Sequence, residues 1–323
     1  FVHPEYGKRY RCVAPATPNM RVYDGPLPAY ASPDHLVPGV DLLHCTGNMV
    51  APVGDTPCLM TIFDVSFLTH PEFHTWENIN LCKHNFEQAV RRGAWFTAIS
   101  QHSKNDFLRH YQVPPERVIV VPCTYDHHRY TPCSAAAIQR ARQAYGLPDR
   151  YLLLLASLEP RKNAVTALRA VAARDIGVPL VIAGAKGWMN DALQCDIARA
   201  GTRVQNIGYV AEDDLPAVYS GAHGLVFPTL YEGFGLPVLE AMACGTPVIT
   251  TRVASLPEVA GTAALYVDDP LDVDSLADAM QRLVQDTQLH ARLHADGLTQ
   301  AQRFQRQPII ARLLQAYRTV MEG

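Results

Sequence analysis

The sequence is short of the features that define several protein classes. It has no stretch of about 18 consecutive apolar residues, the length a membrane-spanning helix needs. Its opening residues, FVHPEYGKRY, have neither the apolar centre nor the small-residue cleavage site of a secretory leader. No basic run is dense enough to neutralise a phosphate backbone, Lys plus Arg totalling 28 against 31 Asp plus Glu, which argues against a nucleic-acid partner. The eight cysteines (Cys12, Cys45, Cys58, Cys82, Cys123, Cys133, Cys195 and Cys244) are dispersed and never spaced as CxxC. They read as reduced core thiols in a reducing cytoplasm. There is no HExxH and no Cys/His ligand spacing, and Asp213-Asp214 and Asp268-Asp269 read as a helix start and a loop, so no metal is expected. The expected protein is soluble and cytoplasmic, or at most peripheral to a membrane.

What is present alternates. In the second half the apolar runs YLLLLAS, PLVIAGA, VQNIGYV, GLVFPT and PVITT are separated by helical patterns: VTALRAVAA, NDALQCDIARA, DDLPAVYSGA and PVLEAMAC. Apolar strands in strict alternation with helices imply a parallel sheet covered on both faces, hence a doubly wound α/β domain. In the first half VDLLHC, CLMTIF, WFTAIS and RVIVV have the same buried-strand pattern, with KHNFEQAVRRGA as a connecting helix. The segment from about Asp126 to Asp149 reads as a linker with a short helix. Residues 1–57 carry nine prolines and no convincing strand, glycine loop and helix before VDLLHC. The first domain therefore reads as incomplete at its start.

The densest motif is YEGFGLPVLEAMACGTPVI, residues 231–249, in which Glu232 and Glu240 flank a Gly-Phe-Gly-Leu-Pro turn. Gly233 and Gly235 free the backbone to turn, and Pro237 suits the first helical position, where its missing N–H is no loss. A helix beginning near Leu236 directs its free N–H groups and positive dipole end at the turn, which suits a diphosphate. Glu240, one turn into the helix, can accept from the vicinal hydroxyls of a ribose, and Glu232 lies on the other side of the phosphates. A plainer reading makes Glu240 a partner of the helix dipole and leaves Glu232 solvated.

This stretch resembles the E-x7-E signature of the retaining GT-B glycosyltransferases of glycosyltransferase family 4. The similarity continues through LASLEPRKNAVTALRAV, VIAGAKGWMNDAL, NIGYVAEDDLPAVYSGAHGLVFPTLYEG and ASLPEVAGTAALYVDDPLDVDSLADAM, and less specifically through DLLHCTGNMVAP, TIFDVSFLTHPEF and AISQHSKNDFLRHYQVPPERVIVVP. It implies two facing Rossmann-like domains: an acceptor-side domain over residues 1–133, a nucleotide-sugar domain over 146–302, and a terminal helix over 303–323 crossing back to the first domain. On the matching positions, Glu240 holds the ribose, Glu232 contacts the sugar near its reacting face, the backbone of Gly233, Phe234, Gly235 and Leu236 faces the diphosphate, and Arg161 and Lys162 bind the diphosphate. Two cations at a departing diphosphate stabilise the transition state more than the ground state. Where many relatives have Gly-Arg this chain has Ala156-Ser157.

The expected activity is metal-independent, retaining transfer of a hexose to a sugar or lipid-linked acceptor in cell-surface polysaccharide synthesis. There is no cofactor beyond the GDP- or UDP-linked co-substrate, and LEPRKN and KGW point to mannose and GDP. The alternatives are a catalytically weak sugar-nucleotide binder and a GT-B epimerase or phosphorylase. Relatives commonly read Ile-His-Asp where this chain has Ile62-Phe63-Asp64, which gives the polar role at that strand end to Asp64 or makes transfer slow. A core position for Phe63 is the plainer alternative. Ser100, Ser103 and Lys104 could border the acceptor cleft, but SKND before FLRHY favours a helix cap.

Overall fold

The structure, a computed structural model, describes residues 41–46, 56–155, 157, 159–184 and 200–322. The opening of the chain, for which the sequence predicts no strand, nearly all of the helix expected over NDALQCDIARA, the KGW segment and Ala156 lie outside those residues. The chain clusters into two units, one formed by residues 1–98, 104–120 and 312–323, the other by 99–103 and 121–311.

In the first unit Leu43–Cys45 (β1), Cys58–Ile62 (β2), Trp95–Ala98 (β3) and Val118–Val120 (β4) form one parallel sheet in that order. Met60, Ile62, Phe96 and Ala98 are buried against Phe67, Phe86 and Phe107, with the Phe96 and Phe107 rings 4.7 Å apart. The connecting helix runs over Trp76–Arg91, beginning before Lys83 because Thr75 caps it by accepting from the Asn78 N–H. It stops where Gly93 takes φ 66°, a conformation that favours glycine. In the terminal helix Arg306–Glu322, residues from Arg312 onward belong to this unit, and Tyr317 Oη lies 2.8 Å from His44 Nδ1 while Thr61 Oγ1 lies 2.8 Å from His44 Nε2. Burial pushes the His44 pKa down to about 4, so one neutral ring bridges helix and sheet.

In the second unit Leu152–Leu155 (β5), Leu180–Ala183 (β6), Val204–Gly208 (β7), Gly224–Phe227 (β8), Val248–Thr251 (β9) and Ala264–Val267 (β10) form a parallel sheet in the order β10-β9-β8-β5-β6-β7. The chain starts in the middle, winds outward one way, then returns beside β5 and winds the other way, so the order reverses between β5 and β8. Alternate residues feed two cores: Leu153, Val181, Leu225 and Val248 on one face, and Leu152, Leu154, Ile182, Val226 and Ile249 on the other. That double burial is why the strands read as unbroken apolar runs. The edge strand β10 is not among the strands predicted from sequence; three of its four residues are only half-buried, which leaves a weak apolar signal.

The contact boundary falls at residue 121 rather than 133, because Tyr125 enters the second unit's core and the Cys133 N–H donates to Ser220 Oγ at 3.1 Å. Residues 303–311 likewise group with the second unit, and Thr124 Oγ1 donates to the Phe304 carbonyl at 2.8 Å. The short helix expected in the linker runs over Ala135–Tyr145, capped by Ser134 and ended by Gly146 at φ 63°.

Candidate functional site

The reversal point of a doubly wound sheet leaves a crevice at the carboxyl ends of its strands. Here the loops leaving β5 and β8 are tied together, since the Leu230 N–H and Thr229 Oγ1 both donate to the Arg161 carbonyl at 2.9 Å. The EPRKN run makes a single 3-10 turn over Pro160–Lys162 and ends on Asn163 at φ 55°, a conformation asparagine tolerates. The Asn163 amide fixes the turn by donating to the Pro228 carbonyl at 2.9 Å and the Pro270 carbonyl at 2.7 Å.

This brings Arg161, Lys162 and Glu232 into one cluster. Arg161 Nη1 donates to Glu232 Oε2 at 2.9 Å and to the Tyr231 carbonyl at 2.9 Å, while Lys162 Nζ lies 2.8 and 3.1 Å from the two Glu232 oxygens. Arg161 Nη2 also donates to Glu159 Oε1 at 3.0 Å. Glu159 was missed by the sequence reading, although it stands two residues before Arg161 in the same motif. The four side chains are only 7–20% exposed, so these charges are little screened by solvent. Glu232 is therefore not a solvated surface acid. Two cations and two carboxylates balance within the cluster, and Lys162 also lies 5.5 Å above the centre of the Phe227 ring.

The glycine turn follows directly. Gly235 takes φ 101°, and a Cβ added there would meet Leu256 Cδ2 at 2.7 Å, so a side chain is excluded by both conformation and space. Ser255 Oγ donates to the Glu232 carbonyl at 2.7 Å and the Phe234 carbonyl at 3.0 Å, and Ser103 Oγ donates to the Gly233 carbonyl at 3.3 Å. The helix over Leu236–Ala243 starts one residue before Pro237, with Gly235 as its cap, so the proline occupies the second position instead of the first. The N–H groups of Val238 and Leu239 bond the Gly235 carbonyl, and Leu236 is 38% exposed.

Glu240 lies in a different environment from Glu232. Its Oε2 accepts from Tyr219 Oη at 3.0 Å, and the Tyr130 ring lies edge-on to Tyr219 with ring centres 6.2 Å apart. Burial pushes the Glu240 pKa up to about 7, against the opposing effect of the two phenols. Neither tyrosine was singled out from the sequence, because Tyr219 reads as one more apolar residue of a helix and Tyr130 as linker.

The remaining candidates lie elsewhere. Asp64 belongs to the first unit, where its Oδ1 accepts from Ser66 N at 2.9 Å and Ser66 Oγ at 2.6 Å, starting the helical turn Ser66–Thr69. Ser66 Oγ also lies 2.8 Å from His74 Nε2. Phe63 is 41% exposed, so it is not a core residue. The helix Gln101–His110 begins ahead of SKND, and the cap is Ser100, whose Oγ accepts from the Ser103 N–H at 3.0 Å. Lys104 Nζ donates to the Pro115 carbonyl at 2.9 Å. Among the described residues no group of three or more His, Cys, Asp or Glu side chains is placed to hold a metal ion, and no helix is long and apolar enough to cross a membrane.

Comparison with known proteins converges on one family. The model of the glycosyl transferases group 1 matches residues 137–299. The O-antigen chain mannosyltransferase B of Escherichia coli is 32% identical over 288 residues, covering 86% of this chain and 74% of its own. A serotype-specific mannosyltransferase WbdA of Escherichia coli is also 32% identical, over 64% of this chain but only 26% of its own. Two solved structures share the fold: Anabaena HepE in complex with UDP and glucose, with TM-score 0.70 at 22% identity over 82% of this chain and 71% of its own, and sucrose-phosphate synthase from Thermosynechococcus elongatus, with TM-score 0.72 at 23% identity over 89% and 75%. With two parallel-sheet units of GT-B type and these matches, the chain belongs to the glycosyl transferases group 1 and is a glycosyltransferase.

Proposed function

We propose that the protein is a retaining, metal-independent hexosyltransferase that moves mannose from GDP-mannose to a sugar or lipid-linked acceptor during cell-surface polysaccharide assembly, at the cytoplasmic face of the membrane. The observation that carries this reading is the Arg161, Lys162 and Glu232 cluster at the reversal point of the second sheet, with Glu240 on the adjoining helix. The names of the Escherichia coli relatives support mannose.

As the bond from the anomeric carbon to the leaving oxygen breaks, negative charge grows on the diphosphate. Arg161 and Lys162, fixed in place before the donor arrives, offset that charge where a metal ion would otherwise do so. Because Arg161 and Lys162 both bond Glu232, a diphosphate that engages them competes with that carboxylate and turns it toward the hydroxyls of the attached sugar. Contact with the phosphates is thereby coupled to contact with the sugar. No carboxylate is assigned as nucleophile; an oxygen of the departing diphosphate takes the proton of the incoming hydroxyl on the same face, which retains configuration.

A second reading, a sugar-nucleotide binder with weak transfer, is favoured by one observation: Phe63, which cannot hydrogen-bond through its side chain, is 41% exposed at the position where the resemblance implies a histidine. Incubation with a panel of nucleotide sugars and mannose-terminated acceptors, in the presence of a chelator, separates the two. The expected result is consumption of GDP-mannose, release of GDP and an α-linked product. Binding of GDP without consumption of any donor would establish the second reading, and activity lost to the chelator would end metal independence.

A further inference from the structure

The two carboxylates of the charged cluster hold Arg161 through different nitrogens. Glu232, on the loop after β8, accepts from Nη1 at 2.9 Å and takes Lys162 Nζ as well, whereas Glu159 accepts from Nη2 at 3.0 Å. Glu159 is the more buried of the two acids, and it stands on the turn that carries both cations. Its backbone is fixed there: its N–H donates to the Ser157 carbonyl at 2.9 Å, and its carbonyl accepts from the Lys162 N–H at 3.0 Å. The bonds from Leu230 and Thr229 hold the Arg161 carbonyl, so the far end of this long side chain is aimed by its own acceptors. Arg161 is the one arginine in LASLEPRKN, where Ser157 stands at the position for which the resemblance implies another. Its orientation therefore decides whether a guanidinium reaches the phosphates.

A diphosphate that takes the place of Glu232 meets Nη1 and Nζ, the two groups which that carboxylate bonds. Nη1 keeps the Tyr231 carbonyl and Nη2 keeps Glu159. We propose that Glu159 is a positioning residue with two effects: it aims Arg161 at the diphosphate during transfer, and its charge, which the donor does not displace, limits the hold on the nucleoside diphosphate product so that it can leave. This rests on the proposed assignment of Arg161 and Lys162 to the diphosphate. With Glu232 turned away, Glu159 offsets one of the two cations; without it both would act on the phosphates uncompensated. In a cluster so little exposed, that extra charge strengthens the bond to the product as well as to the transition state. Chemistry would then be at least as fast, and release slower. A guanidinium with no carboxylate at Nη2 would keep its charge and lose its aim, and misplacement of a positioning group by about 1 Å is enough to slow a reaction about 100-fold.

Two variants separate aim from charge. Glu159→Gln keeps an acceptor oxygen at the same reach and loses the charge; Glu159→Asp keeps the charge and loses the reach. Calorimetry with GDP and UDP, combined with rapid-quench and steady-state consumption of GDP-mannose, reads both in the full chain. Glu159→Gln is expected to bind GDP about tenfold tighter, to complete its first turnover at least as fast as wild type, and then to turn over about fivefold slower, which gives a burst of product. Glu159→Asp should slow the first turnover about tenfold to 100-fold, with no tighter GDP binding and no burst. A purely structural role would move both variants alike, weakening GDP and slowing every phase, and that result would overturn the proposal. So would two silent variants beside an Arg161→Ala that loses GDP affinity, which keeps the diphosphate assignment. GDP affinity unchanged in Arg161→Ala would end that assignment, and the proposal with it. If Glu159→Gln fails to fold, the first turnover of Glu159→Asp decides alone.

Discussion

Glu232 and Glu240 stand eight residues apart in one motif, yet their surroundings are opposite. Glu232 is gripped by a guanidinium and an ammonium at 2.8–3.1 Å, whereas Glu240 is approached by neutral phenols and has its pKa raised to about 7. The first is a charge among charges, suited to a centre where charge moves. The second is a desolvated acceptor, suited to recognising hydroxyls that do not react. On the proposed function, that difference gives chemistry to one end of the motif and recognition to the other.

Removing a cation should have the largest effect. Lys162→Ala is expected to lower kcat about 100-fold to 1000-fold in steady-state donor consumption, because the leaving diphosphate loses one of its two counter-charges. Arg161→Ala should do the same and also destabilise the fold by about 3 kcal/mol in urea titration, since Glu159, 7% exposed, keeps no cationic partner among those described in the cluster. Full activity in Lys162→Ala would dissolve the contrast between the two carboxylates.

A smaller effect is expected from pH. Folded Glu240 holds its proton up to about pH 7, whereas an exposed glutamate releases it near 4.5. Folded-state stability therefore carries a contribution that is complete below about 4.5 and is lost as pH rises through 7. Glu240→Gln should remove that decline in urea titrations at pH 5 and 8, and GDP affinity, which needs the ionised acceptor, should rise with pH through about 7 in wild type only.

The smallest effects are expected in the first unit. Asp64→Ala should cost about 1 kcal/mol by removing the cap on Ser66, and Asp64→Asn, which preserves a capping oxygen, should fold normally and lower transfer. Phe63→His is expected to fold and to raise the rate severalfold, of the order of one hydrogen bond. Silence of both Asp64→Asn and Phe63→His in transfer assays would remove this strand end from the chemistry.

Much of this was legible from the sequence because the second sheet is buried on both faces, so Leu152–Leu155 and Val248–Thr251 read as unbroken apolar runs between helices. The glycine turn and the Arg161-Lys162 pair were legible because glycine and proline have few conformational uses and an E-x7-E spacing is rare. Their convergence was not, since it depends on β5 and β8 becoming neighbours across seventy residues of chain. Glu159 was hidden by spacing that suggests a loop. Tyr219 was hidden because a buried phenol differs from a core aromatic only by one hydroxyl, whose partner lies in another segment. The β10 edge and the ends of the helix Trp76–Arg91 depend on half-burial and capping, which apolar periodicity does not report.

The central claim is the division of labour between the two acids, and one paired measurement tests it most directly: GDP affinity by calorimetry and saturating turnover of GDP-mannose in Glu232→Gln and Glu240→Ala. Glu232→Gln should lower kcat about 100-fold while GDP binds as well as in wild type or slightly tighter, because Arg161 and Lys162 are freed from a competing carboxylate. Glu240→Ala should weaken GDP binding about tenfold and leave kcat within about threefold once the donor saturates. Equal losses of affinity and turnover in both variants would contradict the account.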